Sequence, residues 1–170
     1  MYFKDVCDLR GEVLITATDD SGTSVLVDDK NLIVLNGRKK IASHILTGSG
    51  AYITNIVFGN GGTAIGDPNT ILQVLPTETA VNTAIPNLVN NVDYSFSVNS
   101  SSLDEPTSRP KLIYTINIPK LNTNINGKAI NELALMMNTT PMASAFAIKR
   151  FATIIKSESV SLNITWSLFF

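Results

Sequence analysis

The chain has 170 residues, a mass of 18.3 kDa and a formal net charge of −1, a size that fits one domain around one hydrophobic core. The near-neutral balance argues against a nucleic-acid binder that works by counterion release. No run approaches the roughly 18 consecutive apolar residues of a membrane span, and one cysteine with one histidine supplies neither a disulfide framework nor the four ligands of a structural zinc site.

Charged residues make up only 16%, against the usual quarter. The polar surface comes instead from 17 Asn, 17 Thr and 15 Ser, a composition that suits strands and turns better than long surface helices. The first residues, Met1 to Asp5, carry charge early and lack a long apolar run, so no secretory signal is expected. Residues 1–11 are expected to form an N-terminal arm. Residues 12–18, the turn cluster Asp19-Asp20-Ser21-Gly22 and residues 23–27 read as a β-hairpin. A second apolar run covers 31–35 and stops at Asn36-Gly37. In the segment 38–46, Ile41, Ala42, Ile45 and Leu46 recur at helical spacing, with Arg38, Lys39 and Lys40 facing out and Gly48 near the C-terminal end. This is the one short helix expected.

Residues 51–58 read as a strand, broken by Gly59-Asn60-Gly61-Gly62. At least one of these three glycines is expected at positive φ, turning the chain out of the strand. From Thr63 onward no period is sustained, and Pro68, Pro76 and Pro86 punctuate the chain. Residues 63–90 are expected to form a long ordered loop, with one helical turn near Ile71-Leu72; loops of this length in a compact domain are often contact surfaces.

Strand patterning returns over 91–98, with Val92, Tyr94, Phe96 and Val98 on one face. A polar loop is expected over 99–109, a strand over 111–118 with Leu112, Tyr114, Ile116 and Ile118 on one face, and a turn at 122–127. Residues 130–137 are either a strand buried on both faces or a short helix, which an apolar run alone does not decide. Residues 145–155 are also β-rich. Over 159–170 the alternation is unbroken: Val160, Leu162, Ile164, Trp166, Leu168 and Phe170 face one way, and Ser159, Ser161, Asn163, Thr165 and Ser167 the other, wet way. Lys156-Ser157-Glu158 would join the last two strands as an antiparallel hairpin, with the final strand closing the sheet and Trp166 in the core. Seven or eight short strands, irregular loops and one helix make an all-β fold, a single β-sandwich spanning 1–170. Strand order is not legible at this level, and a jelly-roll pairing stays open. No internal repeat or domain boundary is visible.

No catalytic, cofactor or metal residues are assigned. His44 lacks a motif that places a nucleophile beside it and reads as a structural side chain. Cys7 reads as a small buried hydrophobe or an exposed thiol without redox function. Asp19-Asp20 and Asp28-Asp29 lack calcium-loop spacing and read as solvated turn acids. Gly59 to Gly62 lacks the Gly-Lys-Ser/Thr ending of a phosphate loop, since Thr63-Ala64 follows. Arg38-Lys39-Lys40 is too small a cluster for a nucleic-acid patch. Asn138-Thr139-Thr140 and Asn163-Ile164-Thr165 match the glycosylation spacing as chance occurrences in an Asn/Thr-rich chain.

Two sets of segments resemble a known family. The first runs Asp29-Lys30-Asn31-Leu32-Ile33-Val34-Leu35-Asn36-Gly37-Arg38, through Ile41-Ala42, to Ile53-Thr54-Asn55-Ile56-Val57-Phe58-Gly59-Asn60-Gly61-Gly62. The second comprises Ile130-Asn131-Glu132-Leu133-Ala134-Leu135, then Ala147-Ile148-Lys149-Arg150-Phe151-Ala152-Thr153-Ile154-Ile155-Lys156, then Leu162-Asn163-Ile164-Thr165-Trp166-Ser167-Leu168-Phe169-Phe170. Together, over about half the chain, they resemble small structural proteins of tailed-bacteriophage virions. There, a strand-to-helix element precedes a Gly-x-Gly-Gly turn, and the chain closes on an Ile-x-Trp-x-Ile/Leu-x-Phe strand. The stretch 63–126 adds nothing to the likeness.

The resemblance implies a non-enzymatic building block of the particle: a head-surface, neck or collar, tail or baseplate, fibre-base or capsid-decoration component. Such a protein is made in the bacterial host cytoplasm and located in the virion. The expected partners are further copies of the chain, in a closed ring or small cyclic assembly, and other virion proteins, with no nucleic acid and no membrane insertion. The alternative is a receptor- or carbohydrate-binding module at the tail tip, which the placement of the lone Trp166 on an apolar face weakens. A hydrolase, lacking a base–nucleophile pattern, ranks last.

Overall fold

The spine of the fold is the hairpin formed by β1 (Arg10–Asp19) and β2 (Gly22–Ile33), which agrees with the alternation and turn signal over 12–27. Asp19 closes the turn: its carboxylate accepts hydrogen bonds from the Ser21 and Gly22 amides at 2.8 and 3.1 Å and from the Ser21 hydroxyl. The second apolar run is the continuation of β2. A computed structural model describes residues 9–47, 52–104, 109–138 and 144–170. After the hairpin come α1 (Leu35–Thr47), β3 (Ile53–Gly59), β4 (Thr63–Ala64), β5 (Asp67–Ile71), β6 (Ser95–Asp104), β7 (Arg109–Ile118), β8 (Ala129–Met137), β9 (Ser144–Ile155) and β10 (Ser161–Phe169).

Eight strands form one antiparallel sheet in the order β3-β8-β9-β2-β1-β10-β7-β6, and β4 and β5 form a separate hairpin. The fold is all-β with one short helix. The large sheet curls until its halves face each other like sandwich layers and nearly close into a barrel. The corner is β2. Gly22 to Asn31 pair with β1, and then only Leu32 and Ile33 pair with Ile148 and Ala147 of β9. Where that ladder stops, the Lys149 ammonium continues it, bonding to the Lys30 carbonyl at 2.9 Å and to the Asp29 carboxylate. The opposite seam, between β3 and β6, is bridged by Tyr94. Its hydroxyl donates to the Asn55 side chain and to the Ile56 carbonyl, and its ring meets Phe58 edge-on at 5.2 Å.

Apolar side chains fill the interior. Val13, Ile15, Ile116, Leu133, Ile164 and Trp166 are all essentially inaccessible. Trp166 takes the core position that its alternation predicts, and its indole N–H donates to Asn31 Oδ1 at 3.0 Å. The run 130–137 is a strand buried on both faces. Its outward side chains Ala134 and Met136 join Val34, Val81, Ala145 and Ile148 in a second apolar cluster. The coil over 72–88 covers that cluster, which is why β8 and β9 lack the alternation of a half-wet strand.

Several expectations are corrected. Strands β9 and β10 do not form a hairpin: β9 pairs with β8 and β2, and β10 with β1 and β7. The link between them crosses the end of the barrel because Lys156 turns inward. Its ammonium bonds to the Lys120 carbonyl at 2.7 Å and to Asn126 Oδ1 at 2.6 Å. The final strand is interior to the sheet rather than at its closure. Its wet face also dries up after Thr165, since Ser167 and Phe169 are buried and the Arg10 guanidinium lies 4.6 Å from the Phe169 ring centre.

The expected loop 99–109 belongs largely to a β6–β7 hairpin; its centre, 105–108, lies outside the described residues. The strand expected from Asn91 begins at Ser95, because Asn91, at φ 64°, sits in a turn that leaves Val92 exposed. Residues 10 and 11 of the expected arm are sheet, paired with Phe169 and Leu168, and 1–8 lie outside the described residues. Helix α1 forms, but Ala42 and Leu46 of its expected inner face are exposed, because the barrel contacts the helix only along the stripe through Ile41.

Candidate functional site

The region 63–90 is not one loop. Its first third is the β4–β5 hairpin, with its bend at Gly66, φ 80°, and Ile71 ends a strand rather than a helical turn. The hairpin is fastened at its base. Buried Asn131 on β8 accepts from the Gly62 amide at 2.7 Å and donates to the Thr63 and Thr153 hydroxyls at 3.0 and 3.1 Å. At the far end Ile65 is fully exposed, and at the base and the start of the strap Ile71, Leu72 and Leu75 are partly exposed.

The remaining two thirds form a strap across β8 and β9, held by charge. Arg150 on β9 is buried. Its Nε donates to Glu132 Oε1 at 2.7 Å, its Nη2 to Glu78 Oε2 at 2.8 Å, and its Nη1 to the Gln73 carbonyl at 2.6 Å. The other oxygen of Glu132 accepts from the Asn82 amide at 2.7 Å. One guanidinium and two carboxylates therefore tie the barrel wall to three points of the strap. Backbone bonds from Asn60 to Thr83, Ile85 to Phe58 and Ala145 to Thr79 complete the fastening.

Gly59, Gly61 and Gly62 all have ordinary φ; the glycines at positive φ among the described residues are Gly22, Gly66 and Gly127. The expectation of a left-handed turn there is overturned. What the three positions require is absence of a side chain. A Cβ on Gly59 would sit 2.9 Å from a Glu132 carboxylate oxygen and 3.0 Å from the Thr83 carbonyl, one on Gly61 would lie 2.7 Å from Asn82 Cβ, and one on Gly62 would collide with the Asn131 carbonyl. The glycines let the strap and hairpin base lie flat on the barrel.

A second feature is a cavity of about 430 Å³ between α1 and the mouth of the barrel. Its walls include Ile41, Ile53, Phe146 and Leu168, and Lys40, His44 and Tyr114 also line it.

No known protein family, curated protein or solved structure matches this chain.

The candidates singled out along the sequence are scattered. His44 and Lys40 meet at the cavity, while Arg38 points back to cap the Ile33 carbonyl at 3.1 Å. Asp19 serves the hairpin turn, and Asp20 pairs with Lys120. Asp29 pairs with Lys149, and that hydrogen bond holds its carboxyl below the usual carboxylate range. Asn163 Oδ1 accepts from Asn117 at 2.7 Å across the β10–β7 ladder. Trp166 is buried, so its ring offers no face to solvent. Cys7, Gly48 and Thr139-Thr140 lie outside the described residues. Among the described residues, no three of His, Cys, Asp and Glu gather as a metal site would need.

The sequence reading missed Glu78, Glu132 and Arg150. A signal was present: Glu132 and Arg150 interrupt otherwise apolar runs. Ionisable residues in strands buried on both faces must be paired.

Proposed function

We propose that this protein is a non-enzymatic structural component of a tailed-bacteriophage virion. It assembles through contacts with further copies of itself and with other virion proteins. The observation that carries this reading is the rigidly mounted apolar hairpin. Ile65 at the hairpin tip is fully exposed, and Ile71 at its end and Leu72 and Leu75 at the start of the strap are partly exposed, yet the base beneath them is held by Asn131 and by the Arg150 ion pairs. Apolar side chains left exposed on a fixed support mark a contact site, and ordering that support in advance lowers the entropy cost of association. The resemblance of the segments Asp29 to Gly62 and Ile130 to Phe170 to small virion proteins supports the same reading.

The test is native mass measurement together with location in particles. The chain is expected to form a closed oligomer, the common arrangement for repeated subunits, and an antiserum against it is expected to label purified phage particles. Ile65→Asp should reduce the oligomer to monomer at unchanged melting temperature, because its side chain is fully exposed in the monomer. A monodisperse monomer at high concentration, together with particles free of the chain, would overturn the reading.

A further inference from the structure

The cavity between α1 and the barrel mouth is of the size that small-molecule sites occupy, roughly 300–1,000 Å³. Three observations define what it would accept. Its walls are mainly aliphatic and aromatic, so they favour an apolar body. Its polar lining is rich in donors: among the described residues Lys40 and His44 line it, with no acidic side chain. These two are four residues apart on α1 and so share one helix face.

The third observation is Tyr114. Its side chain is buried and lines the cavity, and its hydroxyl has no hydrogen-bond partner among the described residues. The other buried tyrosine, Tyr94, spends its hydroxyl on Asn55 and Ile56. Burial alone pushes the Tyr114 hydroxyl up to about 12, so it stays a protonated donor throughout the neutral range. The hydroxyl is therefore an uncommitted donor at the cavity wall, open to a ligand oxygen.

We propose that this cavity binds a small amphipathic anion, an aliphatic monocarboxylate, with its chain against Ile41, Ile53, Leu112 and Leu168 and its carboxylate served by the donors Lys40, His44 and Tyr114. The site is independent of the apolar hairpin, which lies on β8 and β9, and of the assembly role argued from it. The carboxylate gains charge-assisted hydrogen bonds, and the chain leaves water for apolar walls. A cation of the same length would meet Lys40 with no acidic side chain in the described lining to offset it.

The experiment is calorimetric titration of the full-length chain with sodium dodecanoate below its micelle concentration, and with dodecyltrimethylammonium as the matched cation. Saturable binding of one dodecanoate per chain is expected, with the cation weaker by roughly tenfold or more, equivalent to about 1.4 kcal/mol. Lys40→Glu, a helix-surface change, should weaken dodecanoate by a similar factor while leaving the melting temperature in place. Tyr114→Phe keeps the ring and should weaken it as well. Absence of saturable binding at millimolar dodecanoate would overturn the proposal. So would equal affinity for anion and cation, or affinity indifferent to both substitutions, since each would mean unspecific apolar adsorption.

Discussion

Arg150 Nε and Glu132 Oε1 lie 2.7 Å apart in the wall of the barrel, with the two side chains 3% and 0% exposed. An ion pair this dry depends on both members, because each would otherwise be a bare charge out of water. Glu78 reaches the same guanidinium from the strap, so the pair also decides where residues 72–88 lie. Arg150→Ala or Glu132→Ala should each lower stability by about 3–5 kcal/mol and expose the strap to protease. Denaturant unfolding and limited proteolysis check this. Losses below about 1 kcal/mol, the range of surface pairs, would mean that the apolar cluster of Val81, Met136 and Ile148 holds the strap unaided.

The glycines of 59–66 separate two kinds of requirement. At Gly66 the backbone is left-handed and the space around a Cβ is open, so Gly66→Ala should cost about 1–2 kcal/mol and Gly66→Asn less, since Asn tolerates that region. At Gly62 the φ is ordinary and the obstacle is the Asn131 backbone, so Gly62→Ala and Gly62→Asn should both be damaging, by about 1–3 kcal/mol or more. Thermal unfolding of the four variants gives the pattern. Rescue of position 62 by Asn would contradict the steric account.

Trp166 is the only tryptophan, so intrinsic fluorescence reports on it alone. Native emission should be blue-shifted and should move red on unfolding. Trp166→Ala should cost about 3–5 kcal/mol. Trp166→Phe keeps most of the ring but removes the part-buried indole bond to Asn31 Oδ1, an expected loss of about 0.5–1.5 kcal/mol. A Phe variant as stable as the parent would show that the bond to Asn31 contributes nothing.

Asp29 links acidity to stability. Its carboxyl is held below 3.8, first by the hydrogen bond from Lys149 and then by the Lys30 amide. A depressed folded-state value contributes stability that is present above 3.8 and is lost as pH falls through the folded value. Asp29→Asn should therefore be less stable than the parent at neutral pH, and the difference should shrink in strong acid. Because the side chain is largely exposed, the effect is expected to be small. Unfolding curves measured across the acid range check the direction, and a difference that grows as pH falls would reverse the assignment.

The candidate site was legible only in fragments. His44 and Lys40 could be placed on one helix from spacing, but nothing local says that Ile53, Tyr114 and Leu168, from three other strands, close a cavity beside them. The ion pairs were equally hidden, since Glu78 and Arg150 are brought together across 72 positions by a strap whose path no period announces. The sequence of the exposed hairpin reads as loop because β4 is two residues long, too short to alternate.

What the sequence determined by itself were the features with a local cause. The turn cluster Asp19 to Gly22 closes the first hairpin through bonds spanning three residues or fewer. The 3.6-residue spacing makes α1, and the period of two from Ser159 puts Trp166 inside. An all-β class follows from repeating such elements. The tertiary structure alone decided which strand lies beside which. Residues 145–155 and 159–170 are neighbours in sequence and pair with neither each other nor a common strand, because an antiparallel ladder is equally available to any strand whose faces match. The choice goes to the arrangement that buries both faces of β8 and β9 and satisfies the charges of Lys156 and Arg150. Those terms exist only once distant segments are in contact.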